Sequence, residues 1–311
     1  MISRMLLNRL LFGFVVVFGV ITILFAVLRV IPGDPARVLA TAGTDEQIKE
    51  LRKTLGLEKP LTTQYFIFLG KMIKGDFGKS FYSPQENILS LVLKRAVTSL
   101  RLAFFAIFLA LGIALLLGIL SGIYAGSIFD RVSLGFIMIC QSLPNFWLGM
   151  ILVLFFAIKL NVFPATGDHG FISLILPGTA VGLNLVAVLT RFIRLNMIDI
   201  LNTDYIKAAR ARGIRESSII LRYAFRNCIL PLFTIVTVQF GVLIGGIVII
   251  EFVFDYPGLG LLTLNAVLRR DYPLVQAIIM VVAVLFVFLN LLTDISYYAL
   301  DPRVRKAQLS Q

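Results

Sequence analysis

Charge, histidine, tryptophan and cysteine are all scarce in this 311-residue chain. Charged residues make up 15%, against roughly 25% in an ordinary soluble domain. One His and two Cys (Cys140 and Cys228) leave little from which to build a multi-ligand metal centre or a Ser–His or Cys–His catalytic pair. The same count excludes a disulfide scaffold. Acidic residues are the scarcer sign, 17 against 29 Lys and Arg, for a net charge of +12. What is abundant is hydrocarbon: 59% of the chain is apolar and 26 residues are Phe, more than one or two soluble cores can hide.

Six long stretches carry no charge at all. They are Leu10–Leu28, Leu102–Phe129, Val132–Ile158, Phe171–Thr190, Asn227–Ile250 and Tyr272–Thr293, with lengths of 19 to 28 residues. Each is close to or above the ~20 residues a helix needs to cross a hydrocarbon core about 30 Å thick. Six transmembrane helices are therefore expected, with Gly112/Gly118, Gly241/Gly245 and Gly245/Gly246 as places for close helix approach. The first stretch is too long for a signal-peptide core, and Ala26-Val27-Leu28-Arg29 makes a poor cleavage site, so a retained helix is expected. Cys140 and Cys228 fall at different depths, and no disulfide between them is expected.

The basic excess becomes a sidedness signal once its places are counted. With the N-terminus inside, the inner segments hold fourteen Lys and Arg: Arg4, Arg9, Arg131, eight from Arg191 to Arg226, then Arg303, Arg305 and Lys306. The short outer loops hold three, Lys159, Arg269 and Arg270. Both termini are expected in the cytoplasm, and a nucleic-acid partner is not. Four regions follow: 1–31 with the first helix, an extracytoplasmic helical segment 32–98, a five-helix core 99–300 and a tail 301–311.

In the outer segment, Pro32-Gly33-Asp34-Pro35 predicts a turn. Thr44 followed by Gln47 predicts a capping box opening a helix that Gly56 closes. A second amphipathic stretch near Thr63–Ile73 has Tyr65, Phe66, Leu69 and Met72 as expected buried positions. Gly75-Asp76-Phe77-Gly78-Lys79-Ser80 imitates the end of a phosphate-binding loop, but Ile73 stands where that motif requires glycine and no strand precedes it. The chain thus carries no nucleotide site of its own.

The inner segment 191–226 is the most informative. Asn202-Thr203-Asp204 offers N-cap oxygens and a negative charge at a helix start. Tyr205 to Arg212 favours helix, with Arg210 and Arg212 near the negative end of its dipole, and Gly213 sits where a C-terminal glycine belongs. Ala208 and Ala209 are expected to form a low patch onto which another surface closes. An anionic lipid surface, attracting each basic residue by about 1 kcal/mol, and a protein partner fit this helix equally well on physical grounds.

These residues resemble a known family. Asp204-Tyr205-x-x-Ala208-Ala209-Arg210-Ala211-Arg212-Gly213, followed by Arg226-Asn227-x-x-x-Pro231, is similar to the coupling loop of binding-protein-dependent ABC importer permeases, peptide/nickel branch. Pro32-Gly33-Asp34-Pro35, Leu55-Gly56-Leu57-x-x-Pro60, Gly75-Asp76-Phe77-Gly78, Ser142-x-Pro144-x-Phe146-Trp147, Glu251-x-Val253-Phe254-x-x-Pro257-Gly258-Leu259-Gly260, Arg270-Asp271-Tyr272-Pro273 and Asp301-Pro302-Arg303-x-Arg305 extend the likeness over nearly the whole chain. Lys207 stands where the broader family has Glu. The resemblance implies an all-α, six-helix type I importer permease in a bacterial or archaeal cell membrane. It also implies a homologous second permease, two cytoplasmic ATPases that carry ATP and Mg, and an extracytoplasmic solute-binding protein. Asp204, Tyr205, Ala208, Ala209, Arg210, Arg212 and Gly213 are then the expected ATPase-coupling residues, and the cargo is a di- or oligopeptide, or alternatively glutathione or a nickel or metal chelate.

Polar groups within the spans are the expected pathway lining: Gln141 and Asn145, spaced for one helix face, with Pro144 between them as a further lining candidate, then Asn184, Gln239 and Glu251. The alternative for each is an interhelical hydrogen bond. Glu251 and Asp255, at the outer end of the fifth span, could attract a cationic cargo group such as a peptide amine or a metal complex, but pairing with Arg269 or Arg270 is the preferred expectation, and Asp294 is expected to meet an inner Arg. His169, in Gly167-Asp168-His169-Gly170, reads as a solvated loop residue and not as a metal ligand. Neither an aspartyl dyad nor a Ser–His site can be assembled in the spans, so an intramembrane hydrolase is not expected; a passive channel remains the competing function.

Overall fold

The computed structural model describes residues 2–30, 44–54, 58–78, 80 and 85–300. Expectations for the turn at Pro32–Pro35, the helix end at Gly56, the side chain of Asp294 and the tail 301–311 lie outside the described residues. All the regular elements described are helices: α1 (Ile2–Val30), α2 (Asp45–Thr54), α3 (Leu61–Ile73), α4 (Ile88–Ile123), α5 (Ile128–Ser142), α6 (Asn145–Lys159) and α7 (Ile172–Leu201). After them come α8 (Asp204–Ala211), α9 (Phe225–Gly246, entered through wide π turns at Ile219–Ala224), α10 (Val248–Val253), α11 (Leu259–Leu268) and α12 (Tyr272–Leu300).

Among the described residues, five helical segments are long and apolar enough to cross a membrane: Leu7–Val27, Ile88–Ile123, Ile172–Leu201, Glu216–Leu243 and Tyr272–Thr293. The sixth expected span, Val132–Ile158, is not one straight helix. It is broken into α5 and α6, which meet at 99°. The cause is local. Pro144 has no N–H to continue the ladder and its ring disfavours helical backbone at the residue before it. Leu143 is accordingly extended, at φ −91° and ψ 129°.

Contacts divide the chain into two compact units, Met1–Val97 with Leu262–Leu292, and Thr98–Leu261 with Thr293–Gln311. In the first, α3 packs along α1. Thr22 and Tyr65 share a hydrogen bond of 2.7 Å between their hydroxyls, and Phe25 meets the rings of Tyr65 and Phe68 at centroid distances of 5.2 and 5.4 Å. The burial pattern of α3 differs from expectation. Met72 is buried, Tyr65 and Leu69 are half-buried, and Phe66 is 70% exposed. Gln64 takes an inner position instead, because its amide is satisfied at both ends: Arg29 donates to it at 2.5 Å and it donates to the Lys59 carbonyl at 2.7 Å. The capping box at Thr44 is present, the backbone N–H of Thr44 donating to Gln47 and that of Gln47 to Thr44 Oγ1. Ser80, in the segment that imitates a phosphate loop, donates to Asp271 at 2.5 Å, and Asp271 accepts the Leu274 N–H in the first turn of α12.

In the second unit α7 is central, packed against α5, α6 and α9. Its contact with α4 rests on two glycine pairs four residues apart, of which the sequence pointed only to Gly118. A Cβ on Gly118 or Gly122 of α4 would stand 2.8 Å from Ile193 or 2.6 Å from Met197. On the α7 side, a Cβ on Gly178 would run into Phe105, and one on Gly182 would come within 3.2 Å of the Ala106 carbonyl. Small residues at this spacing let helix backbones approach closely. Of the glycines expected to do so, Gly118 does, while Gly112 and Gly245 have nothing within 4 Å.

Candidate functional site

Helix α8 is a short element whose two ends are fixed by different means. Thr203 precedes it with extended backbone, but no side-chain cap forms. The Thr203 hydroxyl donates to the Ile200 carbonyl at 2.5 Å and the Asn202 amide to Ile198 at 2.9 Å. The expected N-cap is therefore replaced by closure of α7, whose last carbonyls need donors two residues before α8 begins. At the other end Gly213 has φ +75°. Its N–H donates to Arg210 at 2.9 Å, and that of Ile214 to Ala209 at 3.2 Å. This is the Schellman closure that a glycine just past the helix permits without Cβ strain.

The hydrophobic contact of that closure anchors the helix. Ile206, Ala209 and Ile219 form a buried cluster joined by Leu201 and Ile214. Ala209 is thus an inward-facing anchor and not, as expected, half of an exposed low patch. Asp204, Tyr205, Lys207, Ala208, Arg210, Ala211 and Arg212 are exposed. Arg210 pairs with Glu216 at 2.7 Å, which raises its pKa above the usual arginine value through that hydrogen bond. The Tyr205 hydroxyl accepts from Asn227 at 3.1 Å, tying α8 to the first turn of α9. The result is a rigid, basic, two-turn projection with an apolar underside. It can bind a surface, and it holds no catalytic grouping.

The expected pathway residues sort into distinct places. Gln141 and Asn145 do not share a helix face, because the chain breaks between them. Gln141 accepts from Arg191 Nη2 at 2.9 Å. Asn184 donates both to Asn145 Oδ1 and, at 3.3 Å, to the carbonyl of Leu143, a group freed by the break at Pro144. Gln239 is half-buried midway along α9. Glu251 is fully buried, which corrects its place as an open pathway carboxylate. It accepts from the Ser99 hydroxyl and, at 3.0 Å, from the Leu261 N–H, while the same Ser99 oxygen accepts the Leu259 N–H at 2.7 Å. Gly258 and Gly260 close directly over the carboxylate. The Glu251-to-Gly260 motif is thus a folded clasp. His169 is exposed in its loop, its backbone N–H donating to Ser173. Cys140 and Cys228 are buried free thiols.

One buried pair escaped sequence reasoning. Arg194 of α7 holds Asp130 of α5 through Nε at 2.6 Å and Nη2 at 2.7 Å, and Asp130 also accepts the Gly126 N–H at 2.8 Å. The two residues lie 64 positions apart, so no local pattern announces them. Only the charge of Asp130 at the edge of an apolar run could have prompted a search for its partner.

The family model described as the inner membrane component of binding-protein-dependent transport systems matches residues 114–306, and its N-terminal companion matches residues 1–103. Among curated relatives, the glutathione transport system permease protein GsiC of Pectobacterium atrosepticum is 35% identical over 92% of this chain and 94% of its own length. GsiC of Escherichia coli K12 is 34% identical over 96% and 98%. Among solved structures, an inward-facing form of the MetNI methionine ABC transporter superposes with a TM-score of 0.59 at 17% identity, covering 70% of this chain and 99% of that one. An amino acid ABC transporter gives 0.51 at 16% identity over 68% and 94%. The likeness to these two structures is one of fold.

Proposed function

The chain belongs to the inner membrane components of binding-protein-dependent transport systems, the permeases of ABC importers, and we propose that it forms half of a pathway for short peptides of the glutathione class. The second half comes from a homologous permease, energy from two cytoplasmic ATPases, and cargo from an extracytoplasmic binding protein. Both termini face the cytoplasm, as the excess of Lys and Arg on one set of loops supports. Helix α8 seats in a cleft of an ATPase, and closure of the ATPase pair moves α7 and the helices packed on it.

The observation that carries this is the build of α8. It is closed by a Schellman turn, held from beneath by Ile206, Ala209 and Ile219, and exposes Tyr205, Lys207, Ala208 and Arg212 together. A partner can bias a conformational equilibrium only by binding its two states differently. A helix fixed to α7 through Leu201 and to the entry of α9 through Asn227 transmits such a bias to both. For the cargo, support comes from relatives named for glutathione transport at 34–35% identity over nearly their full length.

The test replaces Ala208 or Arg212 with Cys and looks for a short disulfide cross-link to a Cys scanned around the ATPase surface, together with ATP-dependent uptake of labelled glutathione. Isolation of the active permease without any ATPase, and uptake indifferent to ATP depletion, would overturn the proposal in favour of a passive channel.

A further inference from the structure

Two arginines less than one turn apart on α7 are held in different ways. Arg194 is neutralised by the buried Asp130, with side-chain exposures of 18% and 2%. Arg191 is exposed, and among the described residues its polar partner is neutral, the Gln141 amide oxygen at 2.9 Å. Asp130 and Gln141 both lie on α5, separated by about 16 Å at 1.5 Å per residue. The two guanidinium groups therefore reach toward opposite ends of that helix. Arg194 takes the end beside the Ser127 cap. Arg191 leans toward the Leu143–Pro144 break, where Asn184 bonds Asn145 and the Leu143 carbonyl.

That direction is against the ordinary preference. An arginine at the end of an uncharged span extends its head away from hydrocarbon, toward water beyond the helix end. Here Gln141 turns the head the other way, toward the end of α5 at which Asn184 meets Asn145 and the Leu143 carbonyl. A cation without a carboxylate beside it in an apolar span requires water or an anion. Its guanidinium has five N–H donors in a fixed fork, of which Gln141 uses one, and that fork matches a carboxylate in bidentate fashion.

We propose that Arg191, oriented by Gln141, is the carboxylate-binding group of the translocation pathway and takes hold of the cargo's carboxylate as it passes the break between α5 and α6. This rests on the function proposed above, and it deepens it: the pathway itself selects for an anionic end, beyond whatever the binding protein selects. Gln141 is a positioning residue and Arg191 the contact.

The test uses the complete transporter in proteoliposomes with labelled glutathione and its analogue amidated at both carboxyls, each at a concentration saturating the binding protein. Arg191→Gln is expected to lower glutathione uptake about tenfold or more, the range for losing a charged hydrogen bond, and to leave uptake of the amidated analogue and binding-protein-stimulated ATP hydrolysis near wild type. Arg191→Lys is expected to fall between. Arg191→Cys, assembled first and then modified, should regain uptake with aminoethyl methanethiosulfonate and not with the sulfonatoethyl reagent; wild type, whose Cys140 and Cys228 are buried, serves as control. Equal losses for the two cargoes would give Arg191 a lipid-headgroup or structural role and overturn the proposal. So would equal rescue by both reagents, wild-type uptake by Arg191→Gln, or failure of all three variants to assemble. If wild type takes up other peptides and no glutathione, the cargo reading fails first and this inference falls with it.

Discussion

Removing the Asp130 carboxylate should be among the most damaging single changes in the unit Thr98–Leu261. Asp130→Ala deletes two charged hydrogen bonds from Arg194 and the acceptor of the Gly126 N–H. Breaking one partner of a buried ion pair costs about 3–5 kcal/mol. Because Arg194 keeps 18% side-chain exposure and can reach some water, the lower figure applies. At roughly 2–4 °C per kcal/mol for domains of 150–250 residues, a loss near 3 kcal/mol lowers Tm by about 6–12 °C. The assay is thermal unfolding in detergent followed with a thiol-reactive dye, which reports exposure of the buried Cys140 and Cys228. The decisive variant is the charge swap Asp130→Arg with Arg194→Asp. A simple ion pair would be restored by it. The geometry forbids this, since the swapped guanidinium would face the Gly126 N–H and stand in the first turn of α5, where the helix dipole favours negative charge. The swap should therefore melt no higher than Asp130→Ala. Recovery of wild-type Tm by the swap would refute the reasoning.

Other consequences can be checked in the same preparations. Gly122→Leu must push against Met197 and the Arg194 carbonyl and should lower Tm by several degrees, whereas Gly112→Leu, with nothing within 4 Å, should leave it nearly unchanged. Gly213→Pro removes the N–H that closes α8 on Arg210, and it is expected to separate ATP hydrolysis from uptake; tight coupling in that variant would count against docking by α8. Thr203→Ala should cost well under the ~1 kcal/mol typical of an N-cap, because the hydroxyl bonds back to Ile200 and caps nothing in α8. Glu251→Gln keeps an acceptor for only one of the two donors, the Ser99 hydroxyl and the Leu261 N–H, and should still be milder than Glu251→Ala, which orphans both; equal Tm for the two would show the clasp to be slack.

Much of this protein was legible where the signal is local. The uncharged runs reappear as helices, the Thr44–Gln47 box closes as its spacing requires, and Gly213 adopts the left-handed backbone its place after a helix demands. Other local rules were outvoted by neighbours. Thr203 is a good cap residue, yet α7 ends two positions earlier and takes its hydroxyl. Phe66 is more apolar than Gln64, yet Gln64 is the buried one, because Arg29 and the Lys59 carbonyl meet its amide. Gln141 and Asn145 have the spacing of one helix face, and Pro144 between them ends that helix.

By itself the sequence determined that the chain enters a membrane, which loops are basic, and where the short helix after α7 begins and ends. These depend on hydrocarbon length, charge count and backbone conformation, all of which act over a few residues. Only the tertiary structure decided that Ala209 faces inward, that Glu251 is folded under Gly258 and Gly260, and that Asp130 is held by Arg194 while Arg191 stays exposed. Each of these depends on which side chain arrives opposite another from a distant part of the chain. The scarcity of charge that marks the sequence makes those few meetings consequential, since a charge in an apolar span must find a partner, water or an anion.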